Sequence, residues 1–190
     1  MAPVSQKGGI SQLAAVLSRP IEWAGRAASA CGLLLVLVVG GNVLARYIFN
    51  TGTVAFQELE WHLVSPIALL GMSYALQKGD HVRVDFLYNM MGPKARHAVD
   101  LVTAILIAVF AVVIVILSLP YVQQSFSLSE GSPDPGGIPY RWVLKAFIPV
   151  GFSLLAIQSV AESLLCALRL AGAAPEPVTD DGPDAAHSVL

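Results

Sequence analysis

The side chains with the clearest chemical potential form two groups, and the first is a compact cluster of Asp80, His81, Arg83 and Asp85. Carboxylates and a histidine are common metal ligands. However, an arginine stands in their midst and no second histidine is near, which argues against a closed metal site. Apolar residues alternate with these charges. We therefore interpret the cluster as a loop or an interface segment.

The second group flanks a short loop, with Arg46 before it and Glu58, Glu60 and Trp61 after it. An ion pair between Arg46 and either carboxylate would set the angle between the two segments that the loop joins. The alternative is that each residue only anchors the end of its own helix, as charged and aromatic residues commonly do. Both interpretations give these residues a structural role.

The sequence contains no recognisable catalytic arrangement. There is no nucleophile with a paired base, no phosphate-binding glycine loop and no paired-cysteine redox motif. His62 and His97 stand beside charged or aromatic residues at the ends of apolar segments. We therefore expect no enzyme activity, no cofactor and no metal, and the lack of a basic face excludes a nucleic-acid partner.

The composition is that of a protein whose solvent is lipid. Of the 190 residues, 55% are hydrophobic and only 13% are charged, whereas a soluble domain usually carries about 25% charged residues. A chain of this length has too little interior to hide such an apolar excess from water. The sequence therefore predicts a membrane protein.

Four apolar segments are long enough to cross a bilayer, at about 27–47, 58–77, 99–122 and 142–168. The first contains a charge-free run, 27–45, that covers about 28 Å as a helix, close to a hydrocarbon core of about 30 Å. The predicted fold class is all-α, an integral membrane protein with four helices. Residues 27–169 form its membrane domain.

The basic residues predict the orientation. With four spans, both termini and the central loop lie on one side of the membrane, and that side holds eight of the eleven bases. The positive-inside rule then places both termini in the cytoplasm. The remaining bases are Arg46, Arg141 and Lys145, which would lie on the opposite side.

The two ends of the chain receive separate predictions. Residues 1–26 are a cytoplasmic leader, in which apolar residues at helical spacing over 10–23 favour an interfacial amphipathic helix broken by Pro20. A poorly ordered leader is the alternative. Residues 170–190 are rich in Ala, Pro, Gly and Asp and are predicted to be a disordered, acidic cytoplasmic tail.

Four stretches, taken together, resemble a known family. They are residues 46–50 (RYIFN), 57–62 (QELEWH), 71–85 (GMSYALQKGDHVRVD) and 135–146 (PGGIPYRWVLKA). In order and spacing they resemble the small membrane subunit, the DctQ-like subunit, of the tripartite ATP-independent periplasmic (TRAP) transporters. The resemblance covers about residues 20–170.

This resemblance implies a bacterial inner-membrane machine of three parts. A periplasmic substrate-binding protein captures an organic acid, and a large multi-span permease subunit carries it in a sodium-coupled movement. The small subunit braces the large one in the lipid bilayer and contributes to the docking surface for the binding protein. No substrate or sodium site is expected on this chain.

The matched residues become candidates for structural or subunit-interface roles. Pro135, Gly136 and Gly137 would permit a tight periplasmic turn, since glycine tolerates positive φ. The full set is Arg46, Glu58, Glu60, Trp61, Asp80, His81, Arg83, Asp85, Pro135, Gly136, Gly137, Arg141, Trp142 and Lys145.

Two other functions are compatible with a small polytopic chain. One is a homo-oligomeric membrane channel or self-sufficient transporter, which would require a polar pathway that the largely apolar spans do not offer. The other is a membrane assembly or sensory protein unrelated to transport.

Overall fold

The structure, a computed structural model, describes residues 5–50, 52–79 and 90–172, with only the backbone given for 5–16 and 18. These residues form four helices and no strand: α1 (Ser5–Phe49), α2 (Val54–Lys78), α3 (Pro93–Ser127) and α4 (Arg141–Leu170). The predicted all-helical, four-helix fold is confirmed.

Three of the helices are long and apolar enough to cross a membrane: the Arg19–Phe49 part of α1, and the whole of α3 and α4. The remaining helix, α2, has 25 residues, or about 37 Å at the usual helical rise. It is less apolar because Glu58, Glu60 and Lys78 lie within it. A fourth crossing by α2 stays a prediction, as do the membrane boundaries within each helix.

The N-terminal region differs from its prediction in one respect. Pro20 does not break the helix, because α1 is continuous from Ser5 to Phe49 with Pro20 inside it. Proline removes one backbone hydrogen bond, and the neighbouring turns of a long helix can absorb that loss by a local bend. The leader is therefore helical and continuous with the first apolar segment, and its interfacial placement stays a prediction. The predicted tail lies almost entirely outside the described residues.

The helices pack side by side in the order α1, α2, α4, α3. The most extensive contacts join α3 to α4 and α1 to α2, α2 also packs on α4, and α1 touches α4 only lightly. Two small apolar clusters lie where three helices meet. One contains Ala28 and Leu70, and the other contains Ala111 and Leu155. The arrangement leaves α1 and α3 at opposite edges.

Small residues set the closest approaches between helices. A Cβ added to Gly151 of α4 would lie 2.6 Å from the carbonyl oxygen of Leu69 in α2, and one added to Gly25 of α1 would lie 2.5 Å from the Tyr74 ring. Buried residues of α3 recur at every seventh position: His97, Ala104, Ala111, Ser118 and Ser125. Such small-residue faces allow backbones to pack tightly in a membrane.

Candidate functional site at the loop end

The loops α1–α2 and α3–α4 lie at one end of the molecule, called here the loop end, and Glu58 connects them. Its carboxylate accepts a hydrogen bond from the Ser132 hydroxyl and another, of 2.5 Å, from the Ile138 backbone N–H. Both donors belong to the α3–α4 loop, residues 128–140, whereas Glu58 lies in the second turn of α2. Glu58 therefore fixes this loop against α2.

Two glycines shape the loop around that carboxylate. Gly136 has a φ of 83°, the left-handed conformation that glycine adopts without steric cost, and the Gly137 N–H donates to the Asp134 carbonyl at 3.0 Å. A Cβ on Gly137 would lie only 2.7 Å from the Glu58 Oε2 atom. A turn is present at this segment, and Gly137 leaves room for the side chains of Ser132 and Glu58 rather than adopting a positive φ; the periplasmic placement of the turn stays a prediction.

Glu130 ties the end of α3 to the start of α4. Its Oε2 atom accepts hydrogen bonds from the Ser125 hydroxyl at 2.6 Å and from the Lys145 ammonium at 2.5 Å. Its backbone N–H donates to the Ser125 carbonyl, and its carbonyl accepts the Arg141 N–H at 2.9 Å. One residue thus bridges two helix termini, which leave backbone groups without intrahelical partners.

Aromatic residues surround this bridge. The Lys145 ammonium lies 4.1 Å from the Tyr121 ring centroid, within cation–π range. Trp142 contacts Phe126 edge to face, with ring centroids 5.3 Å apart. Trp142 and Lys145 thus contact α3 and its following loop, and a role for them at a subunit interface stays a prediction.

The Glu130 carboxylate is held in its ionised form. The hydrogen bond from Lys145 and that from Ser125 lower the pKa of Glu130 below its usual value of 4.5, with smaller contributions from the positive charges of Lys145 and Arg141. Hydrogen bonds and nearby cations favour the charged state of a carboxyl group. The bridge between α3 and α4 is therefore ionic at neutral pH.

Glu60 holds α1 rather than the loop. Its Oε1 atom accepts a 2.9 Å hydrogen bond from the buried Asn42 amide of α1. Within the described residues Arg46 forms no ion pair with Glu58 or Glu60, so of the two interpretations left open by the sequence the structure does not contain the ion pair, and the anchoring role stays a prediction. Arg46 is exposed and lies beside Gly52, whereas the buried Asn42 supplies a neutral amide to the contact between α1 and α2.

Two clefts open beside these contacts. A larger one, of about 450 Å³, lies between the first turns of α2 and the α3–α4 loop and is lined by Glu58, Glu60, Trp61, His62, Asp134 and Arg141. A smaller one, of about 330 Å³, adjoins Glu130, Lys145 and Tyr121. Arg141 and Leu144 line both. Trp61 is 74% exposed, so it is available for contact with another molecule.

The structure brings most of the predicted residues together. Three separate stretches of sequence, around Glu58, Pro135 and Arg141, meet at the loop end. Arg46 is near but separate. The predicted cluster of Asp80, His81, Arg83 and Asp85 lies outside the described residues.

Sequence reasoning missed several residues that complete the site. The residues that were not selected are Glu130, Asn42, Ser132 and Asp134. Two of them stand out in the sequence by their surroundings. Glu130 ends a charge-free stretch that begins after Asp100, and Asn42 is a lone amide within an apolar run. A solitary polar group of this kind usually has a specific partner. Ser132 and Asp134 carried no signal, because their contacts depend on how the loop folds back.

The polar side chains of this site attach loops and helices to one another. Across residues 5–50, 52–79 and 90–172, no three His, Cys, Asp or Glu side chains are grouped so as to hold a metal ion. The carboxylates of Glu58, Glu60 and Glu130 accept hydrogen bonds from donors in the loop and the helices. Apolar helices with such a polar end define a membrane protein, and its family follows from comparison with known proteins.

The family model of the DctQ component of the tripartite ATP-independent periplasmic transporters matches residues 35–170. Because this match covers more than half of the chain, the protein belongs to the DctQ family of TRAP transporter components. The predicted family resemblance is confirmed.

Curated relatives agree with this assignment. The chain is 30% identical over 133 residues to the sialic acid TRAP transporter permease protein SiaT of Haemophilus influenzae. It is 25% identical over 137 residues to the C4-dicarboxylate TRAP transporter small permease protein DctQ of Pseudomonas aeruginosa. Over 126 residues it is 24% identical to the ectoine TRAP transporter small permease protein TeaB of Halomonas elongata.

The extent of each match differs. The alignments cover 68%, 68% and 66% of this chain, but 20% of the sialic acid permease protein, 65% of the C4-dicarboxylate small permease and 64% of the ectoine small permease. These relatives are transporter permease proteins and not enzymes, in agreement with the expectation from the sequence.

Proposed function

We propose that the chain is the small permease subunit of a TRAP transporter in a bacterial inner membrane. In this proposal all four helices cross the bilayer, the termini are cytoplasmic and the loop end is periplasmic. The subunit braces a large permease subunit during sodium-coupled uptake of an organic acid that a periplasmic binding protein delivers. The family match over residues 35–170, which includes parts of all four helices, is the observation that carries the proposal.

The partnership with a large permease has support from the lengths of the relatives. In the sialic acid permease protein the matched segment is only 20% of the whole chain, so the counterpart of this subunit is part of a much longer polypeptide there. Segments that are joined in one protein commonly associate when they occur as separate chains. A longer membrane subunit is thus the expected partner of this one.

The bracing role has support from the packing of the helices. Residues on the outer sides of α1 and α3 are exposed and apolar over most of both helices, as at Leu37 and Leu106, each 63% exposed. A chain whose outer helices present such apolar faces is suited to support a carrier in the bilayer.

The substrate class rests on the names of the relatives. The matched proteins are named for sialic acid, C4-dicarboxylates and ectoine, all of which carry a carboxylate. We assign the same broad class, organic acids, to the transporter that contains this chain. The sodium coupling is the property that the family resemblance implies.

Reconstitution into liposomes tests the proposal. The chain alone, the large permease alone and the two together are compared for sodium-driven uptake in the presence of the substrate-loaded binding protein. The proposal expects uptake only from the combination. Uptake by this chain alone would contradict it and would favour a self-sufficient small transporter.

A further inference from the structure

One side of α1 carries exposed basic and aromatic side chains just before the first charge-free run. Arg19, Trp23 and Arg26 follow one another at intervals of four and three residues, the spacing that places side chains along one side of a helix. All three are exposed. Because α1 is continuous through Pro20, Arg19 stays in register with the other two, which a break at the proline would have prevented.

This side, called here the basic face of α1, points away from the other helices. The opposite side of the same turns is buried, since Ile21, Ala24 and Ala28 are at most 7% exposed. Ala24 and Ala28 pack in one cluster with Leu70 of α2. The packing of α1 within the chain therefore uses its other side and leaves the basic face for another molecule.

The positive charge of this face is not neutralised within the part of the chain that the structure describes. Neither arginine forms an ion pair there. Glu22 lies on the flank of the face and is the only acidic residue in positions 1–57, so the face keeps a net positive charge. The Arg26 guanidinium lies 5.3 Å from the Trp23 ring centroid, within cation–π range.

The basic face lies at the depth where the phosphate groups of lipids are found. With the charge-free run 27–45 in the hydrocarbon core, Arg26 lies at the boundary of the core and Arg19 about 10 Å further along the helix. The headgroup layer on each side of a bilayer is about 5–8 Å thick, and a long arginine side chain can reach back into it. Tryptophan is enriched at the same depth.

We infer that the basic face of α1 binds the headgroup of an anionic phospholipid such as phosphatidylglycerol. Guanidinium groups bind phosphate through charge-assisted hydrogen bonds, and a net positive face favours an anionic headgroup over a zwitterionic one. The same side of α1 continues into the apolar run with exposed Ala30, Leu33 and Leu37, on which acyl chains can pack. An acidic protein segment would fill only the charged part of this surface. The binding goes beyond the proposed function, because it requires lipid and no protein partner.

Quenching of Trp23 fluorescence by brominated phospholipids tests this binding. Trp61→Phe and Trp142→Phe leave Trp23 as the only tryptophan of the full chain. This chain is reconstituted into liposomes that contain brominated phosphatidylglycerol or brominated phosphatidylcholine at a series of matched fractions. The ratio of the two quenching curves gives the preference of the site for the anionic headgroup.

The variants each remove one positive charge. Arg19→Gln and Arg26→Gln change the basic face, singly and together. Lys94→Gln is the matched control, since this exposed base lies at the start of α3. We expect the unsubstituted face to prefer phosphatidylglycerol about fivefold, each single arginine variant to lose about half of that preference, and the double variant to lose all of it.

Lys94→Gln should keep the preference. Equal quenching by the two lipids with both arginines present, or a preference that survives in the double variant, would overturn the inference.

The large permease is the competing occupant of the basic face. Native mass spectrometry of this chain co-purified with the large permease, in detergent supplemented with phosphatidylglycerol, counts the lipids that each complex retains. The wild-type complex should retain at least one more phosphatidylglycerol molecule than the complex of the double variant. Equal retention would assign the face to the permease and overturn the inference. Failure of the wild-type chain to retain the permease would contradict the proposed function and leave the liposome result standing.

Discussion

At the scale of single residues, two carboxylates connect parts of the chain that are distant in sequence. Glu58 reaches donors 74 and 80 positions away, and Glu130 joins α3 to α4 through Ser125 and Lys145. These hydrogen bonds pair polar groups close to helix ends, where backbone N–H and C=O groups lack partners within the helix. The α3–α4 loop therefore keeps a defined shape because of two side chains.

The first prediction concerns Glu58. In Glu58→Ala the Ile138 N–H and the Ser132 hydroxyl lose their acceptor, so the loop should open more often and the Ile138 amide should exchange several-fold faster with deuterium. Hydrogen–deuterium exchange of peptides covering residues 128–140 measures this. Gln57→Ala, at the exposed neighbouring position, is the control. Equal exchange in the two variants would show that Glu58 does not hold the loop.

The second prediction concerns the pH dependence of Glu130. Its folded-state pKa is below the usual value of 4.5, so its contribution to stability is present above about pH 4.5 and is lost as the pH falls through the folded-state pKa. Wild type should therefore unfold at a higher temperature than Glu130→Gln at pH 7, and the difference should shrink toward pH 3. A difference that stays constant with pH would contradict the ionic bridge.

Sequence reasoning selected many of the residues that meet at the loop end, but it did not predict their hydrogen-bond partners. A turn followed by a helix start is indicated by the Pro-Gly-Gly segment and by the residues from Arg141 to Lys145. This information is local in the sequence. Arg46 shows the limit of such reasoning, because its charge suggested an ion pair that α1 and α2 do not form. Pairing depends on which faces of the helices meet, and charge alone does not determine this.

At the scale of the helices, packing is set by small residues. The stripe from Ala104 to Ser125 in α3 repeats every seven residues, and the buried hydroxyls of Ser118 and Ser159 bond to carbonyls of their own helices at 2.9 and 2.8 Å. Backbone acceptors within the same helix satisfy these hydroxyls without water. Close helix contact therefore carries no unpaired hydroxyl at these positions.

The third prediction concerns Gly151. Gly151→Ala places a Cβ 2.6 Å from the Leu69 carbonyl oxygen, and backbone cannot move aside as a side chain can. Overpacking of this kind typically costs about 1–3 kcal/mol, more than the gain of up to about 1 kcal/mol from replacing a helical glycine with alanine. We expect a lower thermal unfolding temperature in detergent.

The control for this prediction is Gly71→Ala. Gly71 also lies within a helix, but a Cβ there would meet nothing within 4 Å. Its unfolding temperature should stay the same or rise. If both variants behaved alike, the close approach of α2 and α4 at Gly151 would not be a constraint on packing.

The positions of the helices in the sequence were largely predictable, but which helices pack against each other was not. Long charge-free runs indicate membrane helices whatever their surroundings, and three of the four are apolar enough to show this by composition. Pro20 was wrongly taken as a break, because a proline inside a long helix need not end it. The order α1, α2, α4, α3 depends on glycine contacts such as Gly151 with Leu69, which no periodicity in the sequence reveals.

At the scale of the whole molecule, the side-by-side order has consequences for assembly. It places α1 and α3 at the edges, each with an exposed apolar face, and concentrates the polar contacts at the loop end. Lipid or another apolar helix can cover such faces, whereas water cannot. In the proposed complex, one or both edges meet the large permease and the loop end meets the periplasmic binding protein.

Co-purification from the native host tests the proposed assembly with a large permease. The tagged chain is extracted under conditions that preserve membrane complexes, and its partners are identified by mass spectrometry. A large multi-span permease should be recovered in a fixed ratio to this chain. Recovery of the chain only with copies of itself would contradict the proposed subunit role and would favour a homo-oligomeric membrane protein.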